Sequence, residues 1–204
     1  MVQEIISKIK GKKLVLFGET HGTKEIPELL LNLFSDLAKK EDFNLCLEIS
    51  NEFQNLEPDK ILSLSKEIGT GGLISREYIN LIKEMPKNIK VFFIAPNSIK
   101  NQEEMEKEIA DNILKLVDDK KTFVILGNIH ASKNKIEMGN LEIVPVGFLI
   151  YQRLNDEMCS VLLKPKSGEF FNNGVKKVDS NEDDSFDKNF DYIYELDNVS
   201  PCSF

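Results

Sequence analysis

Apolar residues in this chain fall into short solid runs separated by helical stripes, and that alternation predicts the elements in turn. Ile5, Ile6 and Ile9 recur at helical spacing ahead of Gly11. Leu14-Val15-Leu16-Phe17 then forms an unbroken apolar run of strand length, which stops on Gly18-Glu19-Thr20-His21-Gly22. Leu29, Leu30, Leu31, Leu33, Phe34 and Leu37 mark one face of an amphipathic helix. Pro27 suits its first turn, Glu25 and Glu28 its positive end, and Lys39 and Lys40 its negative end. Phe43 to Ile49 reads as a second strand, closing on Glu48. Strand, helix and strand at this spacing predict a right-handed crossover between parallel strands.

Residues 51 to 88 are less regular. Ile61, Leu62, Leu64 and Ile68 suggest a helix, Gly69-Thr70-Gly71-Gly72 a loop, and Ser75 the N-cap of a second helix carrying Tyr78, Ile79, Leu81 and Ile82. This helical insertion is expected to overhang the strand mouths and, with the loops after Asn97 and His130, to wall a pocket. Lys90 to Ala95 is a third strand, Met105, Ile109, Ile113, Leu116 and Val117 mark a long helix, and Thr122 to Leu126 is a fourth strand. Leu141 to Tyr151, Met158 to Leu163 and Tyr192 to Leu196 read as strands with no helix between them. The expectation is a single α/β domain over residues 1 to 204. Its central sheet is mostly parallel and flanked by helices, and the C-terminal strands extend it, partly antiparallel, or form hairpins beside it.

Composition narrows the function classes. The 204 residues carry a net charge of -8, with 26 basic residues scattered among 34 acidic ones, so nucleic acid is not an expected partner. Pro145 and Gly147 interrupt the apolar stretch from 144 to 151, and no segment is long and apolar enough to predict a membrane span. The N-terminal residues lack the continuous apolar core of a signal peptide, which points to the cytoplasm. Three cysteines without a C-x-x-C pair fit neither a disulfide framework nor a zinc ribbon. The acid-rich run from Asp179 to Asp187 resembles a calcium loop only weakly. Asp184 stands at its glycine position and Phe190 at its closing glutamate, so a solvated loop is expected.

The chain holds two histidines, and each falls just past a predicted strand, in Gly18-Glu19-Thr20-His21-Gly22 and Gly127-Asn128-Ile129-His130-Ala131. A parallel sheet would bring Glu19, His21, Glu48 and His130 to one edge, where open α/β sheets place their sites. A carboxylate beside an imidazole fixes its tautomer, raises its pKa and makes it a better base towards water. The second histidine can protonate a leaving group or stabilise an oxyanion, with the Asn128 amide as a further donor. Asn97 and Ser75, beside the expected pocket, are further binding candidates. There is no G-x-S-x-G elbow, and Cys46 lies mid-strand, so activated water is the simplest nucleophile for a hydrolase acting on a small-molecule substrate. No cofactor is then required. The same four residues suit a divalent ion such as zinc, manganese or iron as an alternative, and the H-E-x-x-H signature is absent.

These residues resemble a known superfamily. Gly18-Glu-Thr-His-Gly after a first strand, Glu48 closing the second, and Gly127-Asn-Ile-His-Ala after a later strand look like the erythromycin esterase-like proteins, the haem-uptake ChaN-like proteins and the Tiki-type proteases. Pro145-Val-Gly and Gly72-Leu-Ile-Ser75-Arg-Glu-Tyr resemble further recurring pieces. The resemblance implies a parallel α/β sheet with a cleft at the strand ends and carries over Glu19, His21, Glu48 and His130 as active-site residues. It implies a choice of activities: an esterase using activated water, a metal-dependent peptidase, or binding of haem without turnover. The chain departs from the pattern near the start of its long helix. Met105-Glu106 stands where many relatives show an arginine.

Overall fold

The computed structural model describes residues 2–68, 72–98, 101–117, 120–139, 141–179 and 185–204. Gly69, Thr70 and Gly71 of the expected glycine loop, and 180–184 of the acidic run, lie outside the described residues. Six strands form the central sheet: β1 (Leu14–Glu19), β2 (Asn44–Ser50), β3 (Lys90–Ala95), β4 (Thr122–Gly127), β7 (Met158–Pro165) and β10 (Tyr192–Leu196). Their order is β10-β7-β1-β4-β2-β3, and every neighbouring pair is parallel. Among the described residues six α-helices accompany it: α1 (Val2–Lys8), α2 (Glu25–Ala38), α3 (Pro58–Ile68), α4 (Arg76–Glu84), α5 (Gln102–Val117) and α6 (Val146–Leu154).

Alternation along the strands feeds two cores. Val15 and Phe17 of β1, Leu45 and Leu47 of β2, and Phe123 and Ile125 of β4 face a layer built by α1 to α4. Leu14 and Leu16, Cys46, and Val124 and Leu126 face α5 and α6 on the other side. Phe17, Phe34, Phe43 and Phe123 are fully buried and pack, mostly edge-on or tilted, with centroids 4.8 to 6.3 Å apart. At roughly 1.5–3 kcal/mol for each large apolar side chain buried, this cluster pins α2 to the middle of the sheet.

The C-terminal part differs from the sequence reading in two ways. β7 and β10 do extend the sheet, but in parallel. Antiparallel strands form two hairpins beside the sheet, β5 (Ile136–Met138) with β6 (Leu141–Ile143) and β8 (Glu169–Phe171) with β9 (Val175–Lys177). The run Leu141 to Tyr151 is not one strand: β6 takes up its first three residues, and α6 begins straight after Pro145. A short, wholly apolar run such as Val146-Gly-Phe-Leu-Ile-Tyr does not reveal its period, and the proline ahead of it marks a helix start. Gly147 lets that helix approach closely, since a Cβ there would lie 2.5 Å from the Ser132 carbonyl oxygen.

Candidate active site

The strand order β1-β4-β2 puts three carboxyl ends side by side. Glu19 is the last residue of β1 and pairs in register with Gly127, the last of β4. On β2 the register against β3 shifts between Leu47 and Ser50, and Glu48 lies between Leu47 and Ile49, which both face the first core. The Glu48 carboxylate accepts the Gly127 backbone N–H at 2.7 Å, which ties β2 to the mouth of β4.

His21 is set by a turn pressed on from several directions. Gly22 adopts φ +84°, and a Cβ there would lie 1.9 Å from the Phe171 carbonyl oxygen. Its own carbonyl accepts backbone N–H groups from Phe171 at 2.9 Å and Cys202 at 2.8 Å. Glycine is the residue that tolerates both the positive φ and the close approach. The loop after β4 is equally fixed: Asn128 N–H donates to the Glu19 carbonyl at 2.9 Å, and the His130 carbonyl accepts Gly147 N–H at 2.8 Å.

Within this frame the two imidazoles are held alike. His21 Nδ1 lies 2.6 Å from Glu19 Oε1, and His130 Nδ1 lies 2.7 Å from Glu106 Oε1. Their Nε2 atoms both face Glu48, His21 at 3.7 Å and His130 at 3.4 Å. One carboxylate therefore stands between two histidines, each braced from behind by a buried glutamate. Burial alone lowers the pKa of His21, but its hydrogen bond to Glu19 and the charges of Glu19 and Glu48 outweigh burial and the opposing His130, and the pKa is raised. Burial likewise opposes the charge on His130, yet Glu48 and the hydrogen-bonded Glu106 push it up to about 9. Carboxylate neighbours are the usual reason for such shifts, and active sites are where they gather.

Glu106 is the side chain of this cluster that the strand-end pattern missed. It sits on α5, is 1% exposed, and also accepts Val146 N–H at 2.8 Å and the Gln102 side-chain amide at 3.1 Å. Val146 opens α6, so the carboxylate rests at a helix N-terminus, where negative charge is favoured. Its signal was in the periodicity: 106 falls on the same face as Ile109, Ala110, Ile113 and Val117, all buried. An acid on an apolar stripe needs a partner inside the protein.

The structure thus gathers Glu19, His21, Glu48 and His130 and adds Glu106. Asn128 lines the adjoining cleft; its Oδ1 accepts Ile129 N–H at 2.8 Å, which leaves its amide protons for the cleft. Asn97 is exposed and accepts Glu52 N–H at 3.0 Å and the Ser50 hydroxyl at 3.3 Å, so it braces the turn after β2. Ser75 is buried as the N-cap of α4, accepting Tyr78 N–H at 3.3 Å. The cleft has a volume of about 310 Å³ and meets the cluster at Glu19 and His21. Its outer wall comes from Pro165, Phe170, Asn172 and Lys177 on and beside the β8–β9 hairpin, rather than from 51–88. The insertion contributes at a lower level, through Leu73 and Tyr78.

Among the described residues no three His, Cys, Asp or Glu side chains are set to hold a metal ion; the two Nε2 atoms lie 3.7 and 3.4 Å from Glu48 oxygens. Also among the described residues, no helix is long and apolar enough to cross a membrane.

No family model matches the chain, and no curated protein does. Solved structures share its fold. A succinoglycan biosynthesis protein matches with a TM-score of 0.73 at 13% identity, over 99% of this chain and 92% of that one. A Bacillus cereus protein matches at 0.68 and 12% identity over the same shares of the two chains. An erythromycin esterase mutant in its open conformation matches at 0.57 and 11% identity, over 86% of this chain and 78% of its own.

Proposed function

We propose that the protein is a hydrolase that activates water at the Glu19–His21 pair and cleaves an ester-like bond in a small molecule held in the adjoining cleft. The observation that carries this reading is the doubled geometry: two histidines, each braced at Nδ1 by a buried glutamate, with both Nε2 atoms directed at Glu48. The sharing of this fold by an erythromycin esterase supports it.

The chemistry divides between the two imidazoles. With its Nδ1 proton held by Glu19, neutral His21 offers Nε2 as the base; it takes a proton from water as the water oxygen attacks the substrate carbonyl. His130, cationic at neutral pH, stabilises the developing oxyanion together with the Asn128 amide, or returns a proton to the departing alkoxide. Glu48 faces both Nε2 atoms and keeps the pair in register for that exchange. Water adds across the ester bond, giving an acid and an alcohol; where His130 only stabilises the oxyanion, His21 passes the proton taken from water to the alkoxide, and where His130 protonates the alkoxide, that proton moves from His21 to His130 through solvent before the next turnover.

A panel of small esters assayed with and without chelator tests the proposal. Turnover should appear in at least one ester class, resist chelator, and fall about 10²–10⁴-fold in His21→Ala and in His130→Ala. Both variants should keep the parent far-ultraviolet circular dichroism, because the two side chains lie at the rim of the sheet. Full activity in both variants, or freshly purified protein that holds stoichiometric metal or haem and turns nothing over, would overturn it.

A further inference from the structure

Below the cleft lies a small cavity of about 10 Å³, bordered by Glu19, His21, Glu48 and Tyr78 with Leu47 and Leu73 as apolar wall. That is the room one water molecule needs, and a buried water needs two or more polar partners. Partners are present. Glu19 Oε2 and the Tyr78 hydroxyl are both buried, with residue exposures of 1% and 3%; the hydroxyl stands close beside the Glu19 carboxylate, yet neither atom closes a well-formed hydrogen bond. Buried polar atoms in native proteins are seldom left so, and a pair of them around one water-sized space points to what is shared. Burial first, and then the charge of the neighbouring Glu19 carboxylate and its pull as a hydrogen-bond acceptor, hold the Tyr78 hydroxyl firmly in its protonated, donating form.

Local structure places this hydroxyl. Ser75 caps α4 and fixes the first turn that carries Tyr78, while Ile79 and Leu81 bury the same helix against the sheet. A phenylalanine would fill that core position as well. The oxygen is the part that packing does not explain.

We propose that Tyr78 is a positioning residue for His21, acting through Glu19 by way of one water buried between the Tyr78 hydroxyl and Glu19 Oε2. The hydroxyl donates to the water, the water donates to Oε2, and Oε1 remains free to take the Nδ1 proton of His21. Both oxygens of Glu19 are then held, so the plane of the carboxylate and the direction of Nε2 are fixed from behind. The charge of Glu19 is also shared between two partners, which keeps the imidazole from being locked as a cation. The role in turnover rests on the reading of His21 as the base; the water and its partners do not.

Tyr78→Phe, made in the full chain, removes the oxygen and keeps the ring. The charged and titratable groups facing Tyr78 are Glu19, Glu48 and Cys202, and those facing His21 are Glu19, Glu48 and His130; the substitution alters none of them. A high-resolution crystal structure of the unaltered protein should show a solvent peak within hydrogen-bond distance of both Tyr78 Oη and Glu19 Oε2. An NMR titration of the His21 ring should move upward by about 0.5 to 1 pH unit in Tyr78→Phe, as Glu19 loses its second partner. With a substrate in hand, kcat should fall while KM holds. A dry cavity in the unaltered protein, or a His21 titration that does not move in Tyr78→Phe, overturns the proposal. Both measurements work on protein without turnover, so the hydrolase reading can fail while this one stands.

Discussion

Glutamine in place of Glu106 isolates the brace behind His130, because it keeps the shape of the side chain and removes its charge. Glu106 now accepts from His130 Nδ1, Val146 N–H and the Gln102 amide. A hydrogen bond to a charged group contributes roughly 1.5–3 kcal/mol, and the amide that replaces the carboxylate must turn a donor towards one of those donors. The pKa of His130 stands at about 9 against an ordinary 6.5, which corresponds to roughly 3 kcal/mol of preference for the charged imidazole at about 1.4 kcal/mol per unit. Burial works against that preference, so Glu48 and Glu106 supply all of it and more. Losing one of the two carboxylates should lower the His130 pKa by about 1 to 2 units. Because the folded pKa lies above the ordinary value, this stabilisation is fully present below about pH 6.5 and is lost as pH rises through about 9. Urea unfolding of the two proteins at pH 6 should therefore differ by about 2–3 kcal/mol, and the gap should narrow at pH 10. NMR titration of His130 gives the second readout. A stability gap that stays constant from acid to alkali, or a His130 midpoint that does not move in Glu106→Gln, refutes the account of the pair.

Two further outcomes follow from the same geometry. The pH dependence of kcat/KM should rise as His21 loses its proton and fall near pH 9 as His130 loses its own; a profile that keeps climbing to a plateau beyond that point contradicts His130 as the acid partner, and in Glu106→Gln the falling limb should shift to lower pH. Gly22→Ala and Gly127→Ala should separate folding from function. At Gly22 a Cβ meets backbone at 1.9 Å with φ at +84°, so melting should drop by well over the 1–2 kcal/mol equivalent of a left-handed alanine alone. At Gly127 the new methyl lies 3.0 Å from His21 Nε2, so turnover should fall about tenfold or more while the melting temperature moves little. The opposite pattern in differential scanning fluorimetry and kinetics would show that the two turns have been assigned the wrong roles.

How much of this was legible in the sequence depends on the range over which each feature is decided. The first four sheet strands and the helices over 25–38 and 102–117 are local matters: a solid apolar run of strand length and a 3.6-residue stripe each state their own conformation. The candidate site was half legible for the same reason, since Glu19, His21, Glu48 and His130 sit at strand ends that the pattern itself marks. The run from 141 to 151 was less legible, because its apolar residues bear no period and Pro145 marks only where a helix can start; the packing of Gly147 against the turn at Ala131 and Ser132 seats that helix in the fold.

What the sequence determined alone was an α/β chain with two histidine turns at the ends of buried strands. Tertiary structure decided which strands are neighbours, and with it the pairing of Glu106 with His130 and the meeting of both histidines at Glu48. Strand order is set by side-chain packing between segments far apart in the chain; Glu106 lies 24 residues from its histidine, and 79 residues separate Glu48 from the Gly127 N–H it accepts. Local periodicity carries no record of such distances, whereas a buried charge has to find its partner once the chain is folded around it.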